Sequence, residues 1–287
     1  MRKRTIPFLF MALAVLFFIS CEKEIVVELP EYKEKVCVDA KIEQGQYPTV
    51  FLTKNAAYFG SYDLNALLTY AITDALVIIS DGTTTDTLTH LLYGFYTGTG
   101  LTGQVNRTYS LTIVAEGKTY TATTTILPPQ PLDSLWFEVQ GTMDSLGYIW
   151  AHFNEPAGIG NAYRWFAQRM NKDPGFIPPF GSAFDDKFID GQTFDFGYTR
   201  GHAQNSSAED DNNIEHGYFK SQDTVIIKFT TIDQASFDFW RTYETQAASE
   251  GNPFSSPGTI KSNILPKGEA LGIFCGYGVW LDTLITQ

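Results

Sequence analysis

Thr108-Tyr109-Ser110-Leu111-Thr112-Ile113-Val114-Ala115-Glu116-Gly117-Lys118-Thr119-Tyr120-Thr121-Ala122-Thr123-Thr124-Thr125 is the stretch that decides the fold. Tyr109, Leu111 and Ile113 alternate with polar residues, the two-residue period of a strand with one buried face. Glu116-Gly117 turns the chain and residues 118–125 run back, so the stretch reads as a β-hairpin. The same period lies upstream. Val36, Val38, Ala40 and Ile42 share one face, and Val50 and Leu52 do so after Pro48. Ala75 to Ser80 is a short apolar run closed by the turn signal Asp81-Gly82, and Leu88 lies in a further strand. About seven strands over roughly 100 residues describe an immunoglobulin-like β-sandwich, expected over residues 34–127.

Pro128-Pro129-Gln130-Pro131 ends the alternation. Proline cannot donate to a central ladder and stiffens a connection, so 128–131 is expected to be a linker. Residues 132–287 then form an aromatic-rich β domain. Trp136, Trp150, Trp165, Trp240 and Trp280 all fall there, with strands at 134–139, 148–153, 163–170 and 224–230. One helix is predicted: Thr231 and Gln234 have capping-box spacing, Phe237, Trp240, Tyr243 and Ala247 make an apolar face, and Gly251 and Pro253 end it. The expected fold class is mainly β, with one or two short helices.

The charge balance excludes one large class of function. The net charge is −12, and such a surface repels phosphate backbones, so no nucleic-acid partner is expected. It also repels anionic headgroups, so membrane contact has to come from elsewhere.

The N-terminus supplies it. Arg2-Lys3-Arg4 precedes an apolar run from Ile6 to Ile19, short for a spanning helix and suited to a signal peptide over residues 1–20. Phe18-Ile19-Ser20-Cys21 resembles a lipobox, which implies cleavage before Cys21 and acylation of its thiol. Several acyl chains, at about 0.8 kcal/mol per buried methylene, make such an anchor effectively permanent. Residues 21–33 then form a lipidated tether, and Glu22-Lys23-Glu24 is similar to the surface-export signals of Bacteroidota lipoproteins. Apart from Cys21 there are Cys37 and Cys275. Both sit in strand-like apolar stretches, where buried free thiols are common, although an exported chain permits a bridge.

Further stretches carry a family resemblance. They are Val36 to Ile42 followed by Pro48-Thr49-Val50, Asp74-Ala75-Leu76-Val77, Thr108 to Leu111, Leu132-Asp133-Ser134-Leu135-Trp136, and Asp190-Gly191-Gln192. The most specific is Gly251-Asn252-Pro253-Phe254-Ser255-Ser256-Pro257, with Ser262-Asn263-Ile264 and Gly272 to Tyr277 after it. Together they resemble the Bacteroidota envelope lipoproteins of domain-of-unknown-function family 4249. The resemblance implies an outer-membrane lipoprotein, often encoded near TonB-dependent receptors, and implies no catalytic residue.

The residues themselves point to little chemistry. His90, His152, His202 and His216 lack the close spacing of a zinc site, and no Gly-x-Ser-x-Gly elbow occurs. Asp185-Asp186 and Asp210-Asp211 are adjacent in sequence, which does not set two acids across a cleft. Asp210-Asp211-Asn212-Asn213, with Glu209 and Glu215, is rich in oxygen ligands but lacks EF-hand spacing, and reads as a solvated loop. No metal or cofactor is expected. The stretch from Asp173 to Tyr198 combines prolines and glycines with Phe176, Phe180, Phe184, Phe188, Phe194 and Phe196, and reads as a loop that either folds onto the core or presents a contact surface. Finally, Asp-Ser/Thr-aliphatic triads occur at Thr87, Ser134, Ser145, Thr224 and Thr283. They resemble the O-glycosylation sequence of Bacteroidota envelope proteins, while Asp and Ser/Thr also favour turns at strand ends.

These readings converge on a non-enzymatic outer-membrane lipoprotein, an accessory or ligand-binding partner of a TonB-dependent import system. Trp136, Trp150, Phe176, Phe180 and Phe184 are its candidate ligand contacts. An envelope hydrolase acting on glycans or peptides is the first alternative, and a structural or adhesive surface protein the second.

Overall fold

The computed structural model describes residues 33–56, 68–141, 143–201, 217–248 and 258–287. Cys21 with its leader, the tether up to residue 32, His202, His216, the 209–215 acidic cluster, and the 251–257 run lie outside them. Among the described residues no helix is long and apolar enough to cross a membrane.

The fold is mainly β. The first half carries β1 (Val36–Glu43), β2 (Thr49–Lys54), β3 (Leu76–Ser80), β4 (Thr85–Thr87), β5 (Thr89–Leu92), β6 (Phe95–Thr97), β7 (Arg107–Ala115) and β8 (Lys118–Ile126). After the proline segment come β9 (Ser134–Val139), β10 (Leu146–Asn154), β11 (Ala162–Arg169), β12 (Ala183–Asp185), β13 (Thr193–Tyr198), β14 (Phe219–Lys220) and β15 (Thr224–Ile232). Helix α1 (Gln234–Ala248) and the 16-residue β16 (Ala270–Ile285) complete the order. The predicted hairpin is β7–β8, in register from Arg107 opposite Ile126 to Ala115 opposite Lys118. Its turn is Glu116-Gly117, both at positive φ, as a tight two-residue connection requires.

Two sandwiches share one sheet. The eight-stranded sheet runs β12-β11-β15-β16-β1-β2-β6-β5. A four-stranded sheet, β4-β3-β7-β8, faces the β1-β2-β6 side across a core of Val38, Ile42, Leu52, Ile79, Tyr96, Tyr109 and Ile113. Another, formed by β13-β10-β14 with β9 on β10, faces the β11-β15 side across Ile149, Phe153, Tyr163, Trp165, Phe219 and Phe229. Each fully buried large side chain here contributes roughly 1.5–3 kcal/mol over an exposed one.

The proline segment does fall between strands, but the halves on either side are joined by β16. Its residues 270–277 run parallel to β1, and residues 278–285 then pair antiparallel with β15. Three glycines make this crossing possible. A Cβ at Gly272 would lie 1.8 Å from the Val38 carbonyl oxygen, one at Gly276 2.9 Å from that of Thr125, and one at Gly278 2.0 Å from that of Leu127. Glu34 to Gln287 accordingly form one compact unit.

The expectations for the helix and for the aromatic stretch need correction. The helix is capped by Asp233, whose Oδ1 accepts the Ser236 N–H at 2.8 Å; Thr231 lies inside β15. Its buried side chains are Ser236, Phe237 and Phe239, while Tyr243 is exposed. Trp240 lies against Arg164, whose guanidinium carbon is 3.4 Å from the ring centroid. The aromatic stretch from Asp173 to Tyr198 is not all loop, for it contains β12 and β13. Phe194, Phe196 and Tyr198 alternate inward and pack on the second core. Cys37 and Cys275 are free thiols. Their strands are adjacent, but Cys275 sits opposite Lys41, four positions past Cys37.

Candidate functional site

Strand alternation sorts the aromatic residues of the β9–β10–β13 sheet. Leu135, Phe137, Ile149, Ala151, Phe153, Phe194 and Phe196 point into the second core. The intervening positions Trp136, Tyr148, Trp150, His152 and Asp195 therefore lie on the outer face. Register then brings them together: Trp136 is directly opposite Trp150, Glu138 opposite Tyr148, and His152 opposite both Ser134 and Asp195.

The two indoles are near-parallel, with centroids 6.3 Å apart and planes 16° from each other. Tyr148 continues the row and stacks on Tyr218 at 5.1 Å. Trp150 lies over Gly197 of β13, where a Cβ would come within 2.8 Å of its ring carbon Cδ2. Glycine here lets the indole lie flat on the strand backbone. Beside the rings runs a polar edge, in which His152 Nδ1 and Asp195 Oδ1 are 2.5 Å apart. Flat half-buried rings flanked by hydrogen-bonding groups can take the apolar face of a ring-shaped ligand and fix its polar substituents.

The same row puts Ser134, His152 and Asp195 on three neighbouring strands. Ser134 makes no side-chain hydrogen bond among the described residues.

The other sequence candidates are dispersed. Phe184 packs into the second core, 5.4 Å from Tyr163. Phe176 packs beside Lys228 on the opposite face of the eight-stranded sheet. Phe180 is 68% exposed, apart from both cores. Thr87, Ser134 and Thr283 are exposed, and Ser145 and Thr224 half-buried. In three of these triads the aspartate holds backbone: Asp86 accepts Gly100 and Leu101 N–H, Asp133 accepts Asn154 N–H, and Asp282 accepts Thr283 N–H.

One acidic group was not visible in the sequence. Glu155, Asp186 and Asp190 bring carboxylate oxygens within 4.8 Å of one another. They accept the N–H groups of Gly191, Gly160, Asn161 and Gly158 at 2.6–2.8 Å. Glu155 also accepts the Asn161 amide and the Tyr163 hydroxyl. The cluster thus clamps the 156–161 and 186–191 loops together, which accounts for its charge density.

The chain is a mainly β, sandwich-like protein with an aromatic outer face. A family model described as a domain of unknown function (DUF4249) matches residues 22–280, and the chain belongs to that family. No curated relative matches it.

Proposed function

We propose that this protein is a lipid-anchored outer-membrane component, fastened through Cys21, that binds carbohydrate on its Trp136–Trp150 face as a non-enzymatic accessory of a TonB-dependent import system. The observation that carries the reading is the indole pair itself: two tryptophans from different strands, set parallel on the solvent side of a sheet whose other side is core. A sugar's C–H face packs on such rings, and its hydroxyls find Glu138, His152 and Asp195 at the margin. The acidic surface supports a lipid rather than a protein-surface route to the membrane. The family match begins at residue 22, immediately after the cysteine. Glycan on the exposed hydroxyls of Thr87, Ser134 and Thr283 is part of the same proposal, and intact mass from the native host tests it.

The test of the main reading is an oligosaccharide array probed with the full chain and with Trp150→Ala. Binding that needs Trp150 supports it, and an array with no signal, or one unchanged in the variant, overturns it. The anchor is tested separately by labelled palmitate and Cys21→Ala, and the import role by recovery of a transporter with the lipidated protein.

A further inference from the structure

One end of the first sandwich carries a band of exposed apolar side chains. β1 starts there with Val36 opposite Lys54, and β16 starts beside it with Ala270 opposite Val36. The β7–β8 turn reaches the same end, where Lys54 lies 3.0 Å from Glu34 and 3.1 Å from Glu116. β2 pairs with β6 at Phe51 opposite Phe95, so the Tyr93-Gly94 turn points that way too, and Ala71 pairs with Thr53 beyond it. Around this end Leu68, Leu76, Leu91, Leu92, Tyr93 and Val114 are each 40–55% exposed. Among the described residues from 33 to 127, Tyr47 is the one exposed large apolar side chain at the opposite end, in the β1–β2 turn.

Two features of the β5–β6 hairpin aim it outward. β5 bulges between His90 and Leu92, and the consecutive Leu91 and Leu92 both face water instead of alternating. The turn holds Tyr93 at a φ of 49°, a left-handed position that asparagine fills with less strain. The Tyr93 ring is nearly half exposed, so packing within the fold does little to offset that cost.

Charge does not oppose an apolar contact at this end. The chain carries −12 overall. Here the described cations Lys33, Lys35, Lys54, Lys118 and Lys267 match Glu34, Asp39, Asp74, Glu116 and Glu269 one for one. The chain also enters the body here, for the compact unit begins at Glu34. Residues 22–33, fully extended, reach about 40 Å at most. Three strand spacings of about 4.8 Å put the β5 edge roughly 14 Å across the sheet from β1.

We infer that this end lies against the bilayer, with Leu91, Leu92 and Tyr93 entering its interfacial layer. The inference rests on the proposed anchor at Cys21 and adds an orientation to it. The acyl chains hold the body, and the apolar band turns one end of it to the lipid. Tyrosine suits that layer, with an apolar ring and a polar tip. An exposed apolar band marks a surface that meets a partner or a membrane. Attachment of the tether at the same end selects the membrane.

The test separates the hairpin from the anchor. The chain from residue 21, carrying Cys21→Ala and Cys37→Ser, is held on phosphatidylcholine vesicles by an N-terminal histidine tag and a nickel-chelating lipid. An environment-sensitive dye is placed on Leu92→Cys or, at the far end, on Tyr47→Cys; the remaining thiol, Cys275, is buried. The dye at 92 should shift to the blue and be quenched by brominated lipid, and the dye at 47 should do neither. Adding Leu91→Gln and Tyr93→Asn should abolish the quenching at 92 while keeping the melting temperature, since both positions are exposed and asparagine suits the turn. A dye at 92 that stays as aqueous as the one at 47 would overturn the inference and leave the band to a protein partner. Equal quenching at both sites, or quenching undiminished in the polar variant, would also overturn it. The tag replaces the acyl chains, so a failure of labelled palmitate to enter Cys21 sinks the anchor without altering this readout.

Discussion

Asn263 takes the place of a strand beside Phe274: its side-chain amide donates to the Phe274 carbonyl at 2.8 Å and its side-chain oxygen accepts the Phe274 N–H at 2.9 Å. The neighbouring alternate positions of β16 are treated alike. The Ser262 hydroxyl donates to the Gly272 carbonyl at 2.7 Å, and the Gly276 N–H donates to the Thr124 hydroxyl at 2.7 Å. Over 270–277, β1 occupies one edge of β16, and β15 has not yet arrived on the other. Side chains satisfy the backbone groups that a strand would otherwise pair. The Ser-Asn-Ile motif is thus structural, with Ile264 buried in the first core behind it.

Asn263→Leu removes both partners of Phe274 and should destabilise the fold by about 1–3 kcal/mol, the usual cost of stranding buried polar groups. Urea unfolding of the full chain measures this. A loss under about 0.5 kcal/mol, the range of an ordinary surface change, would refute the role given to Asn263.

The limits of the sequence show in β16. The β7–β8 hairpin, β1 and β2 could be read because each buries one face and alternates. β16 buries every residue from Ile273 to Gly278, so alternation is lost there, and Gly272, Gly276 and Gly278 look like breakers. They are present because other backbone approaches within a Cβ's reach. β13 does alternate, but the prolines and glycines before it favoured a loop reading. Trp136 and Trp150 could be nominated from composition, while their pairing depended on register. The Glu43–Lys228 contact joins positions 185 apart, and no local pattern reports it.

Gly197→Val should disrupt the tryptophan face with little effect on the core behind it. The new side chain would start 2.8 Å from the Trp150 ring and force the indole off the strand. Tryptophan emission should change, and any array binding should fall as it does in Trp150→Ala. Unchanged emission and binding would show that Trp150 does not need the bare backbone of residue 197.

Asp173 predicts a pH dependence with a definite sign. Burial pushes its carboxyl up, but the Arg169 fork, the Arg169 N–H and Arg200 outweigh that and hold it below the usual value. An acid depressed in the folded state adds stability that is complete above the ordinary carboxylate range near 4 and is lost as pH falls through the folded value. Asp173→Asn should therefore cost about 1.5–3 kcal/mol at pH 7, with the gap closing as pH falls below the ordinary carboxylate range. Paired unfolding curves across that range test it, and a gap independent of pH would reject the linkage.

Because β16 belongs to both sandwiches, the two halves should unfold together despite the proline segment between them. All five tryptophans lie beyond residue 131, so their fluorescence follows only the second half, whereas far-UV circular dichroism follows both. The two signals should give one coincident transition, as expected of a single cooperative unit. Gly278→Ala sharpens the test. Its Cβ would meet the Leu127 carbonyl oxygen at 2.0 Å and the Pro129 nitrogen at 3.2 Å, so the crossing of β16 beneath the linker must shift, at a cost of about 1–3 kcal/mol. Both signals should move to lower denaturant by the same amount. If dichroism instead kept a second transition at the wild-type position while fluorescence moved, the first sandwich would be standing without β16, and the shared sheet would not be what holds the halves together.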